Sequence, residues 1–91
     1  MTARYRRNDQ IIDRVEPDGE YFLFNPITAK FNKLNRIAGL VWEVLGETHE
    51  LDGLTDAVFK RVKGVDRSTL EADLRRLLDD MESRDLVVVD A

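Results

Sequence analysis

Few residues of this chain are equipped for chemistry: one histidine, His49, two serines, Ser68 and Ser83, an adjacent carboxylate pair, Asp79 and Asp80, and no cysteine. A zinc-type centre draws on several imidazole or thiolate ligands, and His49 stands alone in the polar connection Glu47-Thr48-His49-Glu50, so it reads as a solvated loop residue. Neither serine has an evident base partner, and Ser68 suits the start of a helix better than a nucleophile's role. Neighbours on a helix project about 100° apart, so Asp79 and Asp80 cannot converge on one substrate atom and read as a wet face. The glycines are scattered singly and build no phosphate-cradling loop. The sequence therefore predicts a non-catalytic protein with no metal and no cofactor.

What remains is binding, and the elements that would support it are legible. Gln10–Val15 and Glu20–Phe24 are rich in β-formers and joined by Glu16-Pro17-Asp18-Gly19, a proline-and-glycine reversal that predicts a β-hairpin. On the second strand Tyr21 and Leu23 face one side, Phe22 and Phe24 the other. Asn25-Pro26 opens a turn over Asn25–Thr28, and Ala29–Leu34 alternates as a third strand at the sheet's edge. Along it Ala29, Phe31 and Lys33 share one face and Lys30, Asn32 and Leu34 the other. The expectation is Phe31 inward, with Leu34 turning in as the helix begins.

Three helices should follow. Asn35 caps the first, Arg36 to about Leu45, in which Ile37, Leu40, Val41, Val44 and Leu45 recur at helical spacing, Ala38 and Trp42 widen the apolar face, and Gly46 closes the helix in a left-handed conformation. Trp42 is expected to pack on the sheet. The second spans about Gly53–Val62, with Asp52 as its cap and Gly64 beyond its end. The third starts after Asp66 or Ser68 and runs to about Ser83, presenting Leu70, Leu74, Leu77, Leu78 and Met81 on one face. Glu71 with Arg75, and Asp80 with Arg84, stand four apart as solvent-side pairs. Leu86–Val89 either adds a strand or packs as a tail. The fold class is thus α+β: a three-stranded antiparallel sheet followed by three helices, a winged-helix-like layout.

The 91 residues fit one domain, 43% hydrophobic and 35% charged, without an apolar run long enough to span a membrane. A start lacking a signal-peptide core and the absence of cysteine point to the cytoplasm. Arg4, Arg6 and Arg7 are expected in a flexible basic tail over residues 1–8, solubilising or reaching a partner protein, with the domain proper over 9–91. A formal net charge of −4 argues against broad contact with nucleic acid. Winged-helix DNA binding is the rival function, but between Arg67 and Arg84 the third helix carries four arginines against five acids, which repel phosphates.

The turn, strand and Leu34-Asn35 block, the Ala38 and Val41-Trp42 positions, and Val65-Asp66 leading into Leu70, Asp73-Leu74, Leu77-Leu78 and Met81 resemble the PqqD-like family, or RiPP recognition element. The likeness covers roughly Gln10–Val88. Where many members end the last helix on glycine, this chain has Asp85, a residue that tolerates the left-handed turn. The resemblance implies a domain that binds the leader segment of a ribosomally made precursor peptide and docks on a separate maturation enzyme. It fits the free-standing proteins of lasso-peptide clusters, which work with a leader peptidase, better than those paired with radical-SAM enzymes. It also implies the site: an extended leader adds to the third strand, Ala29, Lys30, Phe31, Asn32, Lys33 and Leu34, beside the third helix. There Leu74, Leu77 and Met81 supply apolar wall, and Asp73 and Arg76 supply charge at the rim. Periodicity alone shows only a strand edge and a helix, and a core role for some of those apolar residues stays open. The expected partners are the precursor leader and the enzyme, with no nucleic acid and no membrane. A structural subunit that binds no leader is the third reading. The chain itself is expected as a monomer or a strand-exchanged dimer.

Overall fold

The computed structural model describes residues 3–90. In chain order it contains β1 (Arg4–Arg7), β2 (Ile12–Val15), β3 (Tyr21–Asn25), β4 (Lys30–Leu34), α1 (Arg36–Val44), β5 (His49–Glu50), α2 (Leu51–Phe59), α3 (Arg67–Ser83) and β6 (Val87–Asp90). The α+β expectation of a three-stranded antiparallel sheet followed by three helices holds, with β2-β3-β4 in sequence order. A second three-stranded sheet, ordered β5-β1-β6, is added to it.

That second sheet corrects the expected tail. Arg4–Arg7 is its central strand, paired with His49 and Glu50 on one side and with Val87–Asp90 on the other. Alternation explains it: Tyr5 and Arg7 turn toward the protein, while Arg6 bonds Asp90 across the sheet at 2.9 Å. Arg7 lays its guanidinium 4.7 Å from the centre of the Trp42 ring and donates from Nε to the Trp42 carbonyl at 2.8 Å. Arg7, expected in a solubilising or partner-reaching tail, is instead a lid over the core tryptophan. Met1 and Thr2, at the start of the expected tail, lie outside the described residues. His49, expected in a loop, is half-buried opposite Tyr5.

The meander is built as its turns dictate. The Gly19 N–H donates to the Glu16 carbonyl and the Glu16 N–H to the Glu20 carbonyl, both at 2.8 Å, with Gly19 at φ 86° where a side chain would be strained. The Asn25 side chain accepts from the Ile27 and Thr28 amides and holds the second turn. Tyr21 and Leu23 face the core and Phe22 and Phe24 the outer side. On β4 Leu34 is buried, as expected, but Phe31 faces outward, 74% exposed, against expectation. The register pairs Leu34 with Tyr21 and Asn32 with Leu23, so the inward residues of β3 carry the even positions of β4 inward with them.

The helices close over this face. Asn35 accepts from the Ala38 amide at 2.9 Å, as expected of the α1 cap. Trp42 is fully buried, and its indole N–H donates to Asp13 at 2.8 Å. Gly46 is not left-handed, contrary to expectation; a Cβ there would sit 3.2 Å from the Glu43 carbonyl, a tight contact that glycine avoids. α2 starts at Leu51 rather than Gly53, without a side-chain cap, and Asp52 instead binds Arg67. Arg67 also pairs with Asp56 and Glu71, displacing the expected Glu71–Arg75 pair.

Asp66 is the α3 cap, its side chain accepting from the Thr69 amide and the Ser68 hydroxyl. At the other end Asp85 takes φ 59°, the Leu86 amide reaches the Met81 carbonyl at 3.0 Å, and the Asp85 amide reaches Glu82 at 3.0 Å. This is a Schellman closure, so aspartate serves where glycine is usual, and the chain is aimed directly into β6.

Candidate functional site

Hydrogen-bond parity identifies which groups of β4 are free. Because Glu16 and Glu20 are a bonded pair, the pairs Arg14–Phe22 and Ile12–Phe24 are bonded too, and Asp13–Leu23 and Val15–Tyr21 are not. Tyr21, Leu23 and Asn25 therefore turn their main-chain groups to β4, where they meet Leu34, Asn32 and Lys30. Among the described residues β4 is an edge, and the amides and carbonyls of Phe31 and Lys33 point away from the sheet. Ala29 does not belong to this edge. It sits in the turn at φ 59° with its amide bonded to the Asn25 carbonyl at 2.7 Å.

Beside the edge, β4 and the last turns of α3 enclose a cavity of about 240 Å³ lined by Lys33, Leu34, Asn35, Ala38, Leu77, Asp80, Met81, Arg84 and Leu86. Four expected residues, Lys33, Leu34, Leu77 and Met81, thus meet there. Asn32 joins them through Arg84, whose guanidinium lies 3.5 Å from its side-chain oxygen. Others do not meet. Leu74 is fully buried and belongs to the core. Asp73 and Arg76 pair with each other on the exposed face of α3 and do not line the cavity. Lys30 is exposed at the start of β4, and Phe31 lies on the outer face.

The reach of β4 explains the difference: only its last residues, Asn32 to Leu34, meet α3, and they meet its C-terminal part, so the wall starts at Leu77 and continues to Arg84. Asp80 and Arg84 went unassigned, although they stand three and seven residues after Leu77 on the same helical stripe. Asn35, Ala38 and Leu86 carried no signal beyond their structural roles.

The rim is electrostatically paired. Arg84 lies 3.3 Å from Asp80, and Lys33 lies 2.7 Å from Glu20, whose hydrogen bond and charge hold the ammonium's pKa above the usual lysine value. A larger open cleft of about 870 Å³ lies between the first hairpin and α1. Its Tyr21 hydroxyl donates to Glu43 at 2.8 Å, and Glu43 pairs with Arg61 at 3.0 Å. Burial, then the Glu43 hydrogen bond and charge, push the Tyr21 phenol's pKa above its ordinary value. Among the described residues no three His, Asp or Glu side chains converge as metal ligands. The arrangement offers unpaired main-chain groups beside a trough in which Leu34, Ala38, Leu77, Met81 and Leu86 meet paired charges.

No curated protein matches the chain. Among solved structures, TbiB1 in complex with the TbiA(beta) leader peptide is 26% identical, with a TM-score of 0.80, over 90% of this chain and 93% of that one. A lasso peptide synthetase B1 complexed with the leader peptide, 19% identical, shares the fold at a TM-score of 0.75, over 92% of this chain and 96% of that one. Residues 20–87, from the second strand of the meander to the start of β6, match the family described as coenzyme PQQ synthesis protein D. The chain belongs to the PqqD family.

Proposed function

We propose that this protein is a RiPP recognition element that binds the leader of a precursor peptide as a fourth strand on β4 and delivers it to a separate maturation enzyme. The observation that carries the reading is the free edge of Phe31 and Lys33 beside the α3 trough. Main-chain bonds to that edge contribute roughly 0.5–1.5 kcal/mol each, and the trough reads alternate side chains. Likeness to leader-bound structures over nearly the whole chain supports it. The protein's contribution is effective concentration: it holds the leader while the enzyme acts on the rest of the precursor. A lasso-type partner, in our reading a leader peptidase, is favoured over a radical-SAM enzyme, in keeping with the name of one similar structure, a lasso peptide synthetase B1.

Parity makes the test specific. The Lys33 amide points outward, so K33P removes an edge donor without breaking the ladder to β3, and an edge position tolerates proline. The Asn32 amide points inward, so N32P breaks the ladder. Against a synthetic precursor leader, titrated by fluorescence anisotropy, K33P should lose at least about tenfold in affinity while staying folded. K33Q, which lacks only the charge, should retain most binding. A folded K33P that binds like the parent chain would refute docking at this edge.

A further inference from the structure

The cross-strand register lines up Ile12 with Phe24 and Phe24 with Phe31, one lateral row on the outer face of the meander. Its members are apolar and unusually open: Ile12 is 58% and Phe31 74% exposed, and the Phe24 and Phe31 rings lie 4.6 Å apart between centroids. With Phe22 they border a shallow, mostly apolar hollow of about 380 Å³. Among the described residues nothing covers it. The next row, Arg14, Phe22 and Lys33, is different, because its edge member is a lysine already paired with Glu20. The apolar row therefore runs to the free edge and stops there, at the residue whose main-chain groups point outward.

A strand added to β4 must exchange bonds with Phe31 and Lys33. In either direction it then places one side chain beside Phe31 on the outer face, and its immediate neighbours toward the α3 trough. Resting on the edge-binding reading above, we propose that Phe31 is a specificity-determining residue. It selects peptides with a bulky apolar or aromatic side chain at the single position that completes the Ile12, Phe24, Phe31 row. The bound peptide is then read on both faces, and an exposed phenylalanine on an edge strand gains its occupant from the ligand.

The test pans a displayed library of random dodecapeptides on the full chain and on F31T, a substitution that keeps β-propensity and removes the ring. Phe31 lies outside the core, so far-UV circular dichroism and Tm should match those of the parent chain. Peptides selected by the parent should share one bulky apolar position. F31T should weaken them about fivefold or more, and should have less than about a twofold effect once that peptide residue is changed to threonine. Selected peptides that lose binding when alternate amides are N-methylated, yet ignore F31T, would overturn the role of Phe31 and leave the edge reading intact. Failure to select any peptide sensitive to N-methylation would overturn both.

Discussion

Leu74 and Leu77 share a helix face by spacing but not by contact. Leu74 is sealed in the core, while Leu77 is half-buried at the wall of the β4 trough. Truncating Leu74 leaves a cavity, so L74A should cost about 2–5 kcal/mol in urea unfolding and reduce binding by depleting folded protein. L77A should cost roughly half as much or less and weaken the leader in chains that remain folded. The Trp42 indole makes a second contrast. D13A leaves its N–H without an acceptor, but Asp13 is partly solvated, so water offsets part of the loss and the destabilisation should be about 1 kcal/mol by the same measurement. That contact joins β2 to α1 over 29 positions of sequence, a distance at which no local pattern names a partner for the indole. Phe31 escaped for a related reason. Hydrophobicity argued inward, but register with Tyr21 and Leu23 decides the face, and register is a property of two strands together.

At the scale of elements, α3 matters most because it positions the trough, and its two ends are held by aspartates of opposite function. Asp66 accepts from the Ser68 hydroxyl and the Thr69 amide, bonds that depress its pKa below the usual carboxylate value. A carboxylate with a depressed folded pKa stabilises fully above its unfolded value, and the contribution is lost as pH falls through the folded one. D66A should therefore lower Tm at neutral pH, and its Tm should converge on the parent's as pH drops below the ordinary carboxylate range. A gap that persists in acid would mean that the cap's charge is not what counts. Asp85 acts by backbone alone, at φ 59°, so D85G should raise stability by about 1 kcal/mol. Both ends were legible to within a few residues because their signals lie within a turn of the helix end, though the sequence left the cap open between Asp66 and Ser68. The start of α2 was not: Glu50 makes no side-chain cap bond, so its boundary depends on the β5 pairing just before it.

For the whole molecule, the meander and three helices follow from local periodicity, whereas the second sheet joins three segments that periodicity treats separately. Arg-Tyr-Arg-Arg reads as a basic tail until β5 and β6 are placed on either side of it. Asp85 supplies that placement by turning the chain out of α3 into Val87–Asp90, opposite Arg7–Arg4. The sheet also bears on function. Arg7 covers Trp42, and the Asn8 amide reaches the carbonyl of Leu86, itself a trough residue, at 3.0 Å. β1 thus braces the trough from behind without touching the β4 edge. Deleting residues 1–8 removes four cross-strand pairs with β6, worth about 1–4 kcal/mol at roughly 0.2–1 kcal/mol each, and uncovers the tryptophan. The truncated chain should melt well below the parent and show red-shifted tryptophan emission. Any leader affinity remaining per folded molecule should still depend on Lys33, because the β2-β3-β4 register is set by its own turns. A truncated chain that melts with the parent would mean that β1 is an ornament to the core, as a mobile tail would be, and that the trough needs no brace.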